Sequence, residues 1–385
     1  MADTPAIHTP PVPHFHDTPS QAVFDEAAQQ TFKFQRQLEE SDDIIEIPES
    51  RERRMWELRL MHNFMLNQAQ QFHEHKGKHA PQPAPTASLP ETQNATQENG
   101  AFLWGREIPY MAFEDDGMLY SMLAHSALNL WTKSADFAER DTLRVLQQKY
   151  LGMALREQRK SVATLSRENA DRVCMSSLTM LSHSFALVQT LPPRPWEPPL
   201  EWLRMGRGAG ALFTVARGYL GGSNQSDRFQ RFLNSPPKFD PDEMFTQENR
   251  EHLLWLLDND GGSADDGGIE MQDKVTIIIY HRVLSYIGTV QKGIREQEPL
   301  FAICRRFAGF SVWMPDMFHE FLTQRRPRAL VALAHFFALW IPYSDVWLVG
   351  KTGENQVRGI YEVLPHDWRH KLDPIFVEYN LDYDI

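Results

Sequence analysis

The sequence predicts an all-α protein, and three observations lead to this fold class. First, apolar residues recur at spacings of three and four in segment after segment from residue 101 onward, which is the period of one helix face. Second, there is little alternation of apolar and polar residues with a period of two. Third, 42% of the 385 residues are hydrophobic and 11% are aromatic, which is enough for a large core. We therefore expect a multi-helix bundle.

The N-terminal part is predicted to divide into three stretches. Residues 1–50 begin Pro- and His-rich and end in EESDDIIEIPES, so we expect a disordered, acidic segment. Residues 51–73 read as a helix with one apolar side, formed by Trp56, Leu60 and Phe64. Residues 74–100 are polar and Pro-rich, which is typical of a flexible linker or loop. The helical domain is predicted to span residues 51–385, with this loop inside it.

From residue 101 the predicted elements are helices separated by breakers. The first predicted helix is DDGMLYSMLAHSALNLW (115–131). The apolar stripe of the second helix includes Leu143, Leu146, Tyr150 and Met153. The stripe of the third helix includes Cys174, Leu178, Leu181, Phe185 and Val188. The prolines of LPPRPWEPPLEW (191–202) end the third helix, because proline lacks the backbone donor that a helix needs.

The C-terminal half is predicted to continue in the same way. A helix in WLRMGRGAGALFTVARGYL is followed by a glycine- and aspartate-rich surface loop, DNDGGSADDGG (258–268). Two or three helices are expected between residues 270 and 326, and a strongly apolar one over RALVALAHFFALW (328–340).

Three histidines lie in predicted helices. On a helical wheel, His125 falls with Ser121 and Asn129 on a narrow polar strip, which predicts an edge position on a mostly buried helix. Such a histidine either bonds a neighbouring helix or contacts a ligand. His183 lies opposite the apolar stripe of its helix. His335 lies in a helix that is apolar all round, so it needs a buried hydrogen-bond partner or serves as the polar anchor of an apolar pocket.

Composition excludes several classes of function. The net charge of −12 argues against stable binding to a nucleic-acid backbone. Two cysteines, Cys174 and Cys304, are too few for a disulfide framework or a structural zinc site. The start of the chain does not look like a secretory signal, and the longest apolar run, at 275–290, is too short to span a bilayer. We expect a soluble intracellular protein.

No catalytic motif is present in the sequence. GxSxG, the P-loop, GxGxxG and HExxH are absent, and the three histidines of HEHKGKH (73–79) open the predicted linker, where a metal would lack a rigid set of ligands. We therefore predict a protein without catalytic residues, metal or cofactor. The alternatives are an enzyme or accessory protein of a biosynthetic pathway on a helical scaffold, and a purely structural interaction protein.

Several segments, in their order, resemble one family. The pieces are RLMHNFMLNQAQQF, IPYMAFEDDGMLYSMLAHSALNLW, Tyr150 to Leu155, SRENADRVCMSSLTMLSHSFA, PPLEWLRMGRGAGALF, RRPRALVALAHFFALW and WRHKLDPIF. Together they are similar to the C-terminal regulatory domain of fungal Zn(II)2Cys6 transcription factors, especially the sterol-uptake-control group. The resemblance covers roughly residues 52–376.

The resemblance implies an all-α regulatory domain that forms homodimers or heterodimers with a related regulator, acts in the nucleus with possible shuttling to the cytoplasm, and holds a sterol-like ligand. The sequence departs from the pattern of this family in two places. The six-cysteine zinc cluster does not occur in these residues, so direct DNA binding by that module is not expected. VWLVGKTGENQVRGI (346–360) is also more polar than the family's segment after the late helix.

A ligand pocket, if present, is expected between the helix at 200–215 and the region 328–347. Large apolar side chains of these segments can line such a cavity. The candidate wall consists of Met205, Phe213, Phe336, Phe337, Trp340 and Trp347, with His335 as polar anchor. The alternative is that all of these side chains are ordinary core.

Overall fold

The computed structural model describes residues 48–70, 100, 102–220, 228–258 and 270–383. The predicted disordered segment 1–50, the linker 74–100, HEHKGKH and the loop 258–268 therefore lie almost wholly outside the described residues. Within them the fold is an all-α bundle with no strand, which confirms the predicted fold class. None of the helices in these ranges is long and apolar enough to cross a bilayer.

Most of the long helices lie where the periodicity predicts them, and further helices that were not predicted lie between and after them. Their bounds are α1 Arg51–Gln70, α2 Ile108–Ala112, α3 Asp116–Lys133, α4 Phe137–Ala163, α5 Ala170–Leu187, α6 Leu200–Leu220, α7 Arg228–Asn234, α8 Pro241–Met244, α9 Gln247–Glu251, α10 Lys274–Arg295, α11 Leu300–Trp313, α12 Asp316–Thr323, α13 Pro327–Ala338, α14 Thr352–Val363 and α15 Asp373–Glu378.

Short side chains cap several of these helices. The carboxylate of Asp115 accepts a hydrogen bond from the backbone amide of Met118 at 2.8 Å, and that of Asp273 accepts from the amide of Thr276 at 2.9 Å. These caps satisfy amides that have no partner inside the helix. As predicted, α5 ends before the proline-rich segment. That segment is held by Trp196, whose indole nitrogen donates to the side chain of Gln356 on α14 at 2.9 Å.

Buried apolar residues form two clusters, and α3 lies between them. Met118 and Leu128 of α3 belong to the large cluster, which α5, α6, α10, α11 and α13 complete. Leu123 and Ala127 belong to a smaller cluster with α1 and α4. Because neighbouring helices pack on both sides of α3, little of its circumference is left to face solvent.

Candidate functional site

The aromatic residues at the end of α13 and just after it, which were predicted to form a wall, lie together in the large core. Phe336, Phe337 and Trp340 are fully buried, and the ring centroids of Phe337 and Trp340 are 4.9 Å apart. The ring of Phe336 stacks on Phe310 of α11 at 3.9 Å, and Trp340 meets Trp202 of α6 edge-on at 5.7 Å. These rings are in direct contact with one another.

The other predicted wall residues lie elsewhere. Met205 is half-buried on α6, and Phe213 packs on Phe229 of α7 with ring centroids 4.6 Å apart. His335 points away from the aromatic core, where its Nε2 donates to the backbone carbonyl of Lys371 at 2.9 Å. Burial lowers the pKa of His335 to about 4. Trp347 lies against His125, in a different part of the bundle.

His125 is the main correction to the sequence-based predictions. The helical wheel placed it on the less buried side of its helix, but His125 is 0% exposed, and Ser121 and Asn129 on the same strip are 1% exposed. The reason lies in α1, which covers part of this strip. Its Asn63 donates to the hydroxyl of Ser126 at 2.9 Å and to the side-chain oxygen of Asn129 at 3.3 Å.

Four rings surround the imidazole of His125. Trp104 stacks on it with ring centroids 5.6 Å apart, and Phe64 meets it edge-on at 5.9 Å. Trp347 approaches from the C-terminal part of the chain at 5.0 Å, and His183 of α5 lies at 6.1 Å. We call His125 and these four side chains the histidine chamber; the name refers to this cluster of rings.

The backbone that carries Trp104 is unusual. Leu103–Glu107 form a single turn of π-helix that leads directly into α2. A π-turn is less stable than the α-helix and is found frequently at functional sites. Here it places the indole of Trp104 flat on His125. This backbone feature therefore belongs to the chamber.

The two histidines of the chamber differ in their hydrogen bonds. Among the described residues, neither ring nitrogen of His125 has a hydrogen-bond partner. The amide nitrogen of Gln147 on α4 donates to Nε2 of His183 at 2.8 Å, whereas Nδ1 of His183 has no partner in the described part of the chain. His183 is also buried, at 1% exposed, although the wheel placed it opposite the apolar stripe.

Burial keeps both imidazoles neutral. It lowers the pKa of His125 well below the ordinary value, and the nearby His183 lowers it further. Burial alone lowers the pKa of His183 to about 4. A neutral imidazole carries one donor and one acceptor, and leaving both unused in a buried site costs about 1–3 kcal/mol. His125 therefore keeps a donor and an acceptor for which the described residues offer no partner.

Among the described residues there is neither a group of metal ligands nor an exposed thiol. Within the described ranges, no group of three His, Cys, Asp or Glu side chains could hold a metal ion. The thiol of Cys304 is buried, and burial raises its pKa to about 12, so it stays protonated and unreactive.

Sequence reasoning missed the grouping of Phe64, Trp104 and His183 around His125. One pattern could have indicated it: both histidines are followed by serine, within LAHSA and LSHSF. The serine after His125 is in contact with α1, because its hydroxyl donates to the backbone carbonyl of Leu60 at 2.6 Å.

Comparison with known proteins found two relatives. The Zn(2)-C6 fungal-type transcription factor afumD of Aspergillus fumigatus is 24% identical over 237 residues, which are 62% of this chain and 60% of that protein. A Zn(2)-C6 fungal-type transcription factor of Gibberella zeae is 23% identical over 298 residues, 71% of this chain and 56% of that protein. No family model matches the chain. The chain is thus similar to, and spans little more than half of, fungal zinc-cluster transcription factors.

Proposed function

We propose that these residues form the regulatory domain of a transcription regulator, which controls gene expression by binding an apolar small molecule, a protein partner, or both. The two relatives, both transcription factors, support the regulatory role and a nuclear location. Their names also favour a non-enzymatic role. Shuttling to the cytoplasm and association with a second copy or a related regulator are parts of the same proposal.

The proposed ligand is a flat apolar molecule with one hydroxyl group, such as a sterol, and the proposed site is the histidine chamber. The observation that carries this proposal is His125, a fully buried imidazole without a partner among the described residues, stacked on the π-helical Trp104. A ligand hydroxyl would satisfy the imidazole, while the rings of Phe64, Trp104 and Trp347 would contact the apolar body.

A second location for the same ligand is the predicted wall around Phe336, Phe337 and Trp340. A ligand there would have to separate rings that are now in contact, including Phe310 and Phe336 at 3.9 Å. Separating them costs packing energy that the ligand would have to restore. The rings of the chamber are also in contact, but His125 offers both a donor and an acceptor without a partner among the described residues, whereas Trp202 and Trp340 at the wall offer only donors. The chamber is therefore the favoured site.

The test is thermal unfolding of the purified chain with a panel of sterols and fatty acids. A ligand that binds the folded state raises the melting temperature with concentration. We expect a sterol to do so for the wild type and for Trp340→Phe, and to have little effect on His125→Phe. Loss of the shift in Trp340→Phe alone would move the site to the predicted wall. No shift with any member of the panel would refute the proposed ligand class.

A further inference from the structure

A polar pocket lies between the first half of α6 and α12, away from the histidine chamber. Its volume is about 170 Å³. Leu200 and Thr323 contribute to its rim, and its polar lining consists of Arg204, Arg207, Asp316, His319 and Glu320. A cavity of roughly 150 Å³ holds benzene, so this pocket suits a molecule of about that size.

His319 is the unusual member of the lining. Its side chain belongs to a residue that is only 7% exposed, and neither ring nitrogen has a hydrogen-bond partner among the described residues. Burial, together with the neighbouring Arg207, lowers the pKa of His319 to about 4. At neutral pH the imidazole is therefore uncharged, with one donor and one acceptor for which the described residues offer no partner.

The two arginines of the lining form exposed ion pairs. Arg207 lies 3.3 Å from Asp316, and both side chains are well exposed, at 38% and 45%. Arg204 pairs with Glu201 one turn earlier on α6, and that carboxylate is 87% exposed. Exposed ion pairs of this kind contribute little to stability. A ligand carboxylate can therefore replace Glu201 at Arg204 with little loss.

The lining as a whole is electrically balanced. It contains two guanidinium groups, those of Arg204 and Arg207, and two carboxylates, those of Asp316 and Glu320, and His319 is neutral. A phosphate or another multiply charged anion would be repelled by the carboxylates as much as it is attracted by the arginines. A molecule that carries one positive and one negative group matches the lining better.

We propose that this pocket binds a small zwitterion of the α-amino-acid class. The carboxylate of the ligand pairs with Arg204 and its ammonium group pairs with the exposed Glu320, while the neutral His319 adds no charge to the lining. Leu200 offers an apolar contact for a short side chain. This site is separate from the proposed sterol site, so the chain would sense two classes of small molecule.

The experiment is isothermal titration of the full chain with the twenty common amino acids. Each amino acid that binds is compared with two matched sets of analogues: the acid that lacks the amino group, and the amine that lacks the carboxylate. We expect a small subset of amino acids to bind, and both matched sets to bind at least tenfold more weakly. Equal binding of the deaminated acid would overturn the zwitterion assignment, and no binding by any amino acid would overturn the site.

Variants test the pocket itself. Arg204→Gln and Glu320→Gln should each weaken binding at least tenfold. Arg144→Gln removes a similarly exposed arginine that pairs with Asp141 on α4, and it should leave binding unchanged. His125→Phe should also leave it unchanged, which separates this proposal from the sterol proposal. Full affinity in Arg204→Gln or Glu320→Gln would show that the ligand lies elsewhere and overturn the proposal.

Discussion

The indole ring of Trp347 stands edge-on to the imidazole of His125, with an interplanar angle of 87° and ring centroids 5.0 Å apart. The indole nitrogen also donates to the hydroxyl of Thr132 at 2.8 Å. Trp347 comes from the segment before α14, whereas His125 and Thr132 belong to α3. Any ligand that displaces Trp347 would therefore act on both the N-terminal helices and the C-terminal part of the bundle.

The hydrogen bond between Trp347 and Thr132 should be measurable as a coupling. We expect Trp347→Phe and Thr132→Val, combined in a double-mutant cycle, to give a coupling free energy of about 0.5–1.5 kcal/mol in urea unfolding. Strictly additive effects would mean that this bond contributes nothing to stability.

Replacement of the two chamber histidines should have opposite consequences. His125→Phe removes a polar ring without a described partner and keeps an aromatic ring, so we expect stability to stay level or rise by about 1 kcal/mol. His183→Phe deprives Gln147 of its partner and should cost about 1–3 kcal/mol. Denaturant unfolding of both variants checks this, and a large loss in His125→Phe would indicate a hydrogen bond on that imidazole.

Trp340 tests whether the α13 cluster is packed core. Trp340→Ala removes a fully buried indole that contacts Trp202, Phe307 and Phe337, and we expect a loss of about 3–5 kcal/mol in unfolding free energy. Phe137→Ala is the control, because Phe137 is 82% exposed and should change stability by less than about 0.5 kcal/mol. A comparably small effect at Trp340 would argue for a loosely packed wall.

Two helical glycines should respond in opposite directions to a methyl group. A Cβ on Gly288 of α10 would collide with the backbone carbonyl of Asn249, which cannot move aside as a side chain could. Gly288→Ala should therefore cost at least about 2 kcal/mol. Gly218 of α6 has no atom within 4 Å of the same position, so Gly218→Ala should stabilise the helix by about 0.5–1 kcal/mol. Thermal unfolding of the two variants provides the comparison.

Stability should fall as the pH is lowered from 7 to 5. Burial lowers the pKa of His183 and of His335 to about 4, below the ordinary value of 6.5, so the unfolded chain binds more protons in this interval. Each of these histidines should account for about 2 kcal/mol of the loss. Urea unfolding at several pH values measures it. The unfolding free energy of His335→Phe should depend less on pH than that of the wild type. An unchanged pH dependence would contradict the lowered pKa of His335.

Much of the architecture could be predicted from the sequence, because it depends on local patterns. The stripe of Leu143, Tyr150 and Met153 is buried in α4 as its spacing predicts. The prolines after α5 and the two or three helices expected between residues 270 and 326, found as α10, α11 and α12, were also predicted correctly. Helix periodicity, proline and capping residues act within a few residues of chain, so they can be read without knowing the neighbours.

The histidine chamber could not be predicted in this way. A helical wheel placed His125 on the polar side of α3, and it could not show that α1 would bring Asn63 against that side or that the π-turn would set Trp104 on the imidazole. Phe336 and Trp347 were likewise grouped into one candidate wall because both lie in the region 328–347, yet Phe336 packs on Phe310 and Trp347 packs on His125.

The sequence by itself thus determined that the chain forms amphipathic helices, roughly where the long helices α1, α3, α5, α6 and α13 lie, and that a large apolar core unites them. Only the tertiary structure decided which polar side chains were buried, which rings met, and where α6 and α12 left a charged pocket. The physical reason is that a helix's face is set by its own residues, whereas burial depends on what a distant segment places against that face.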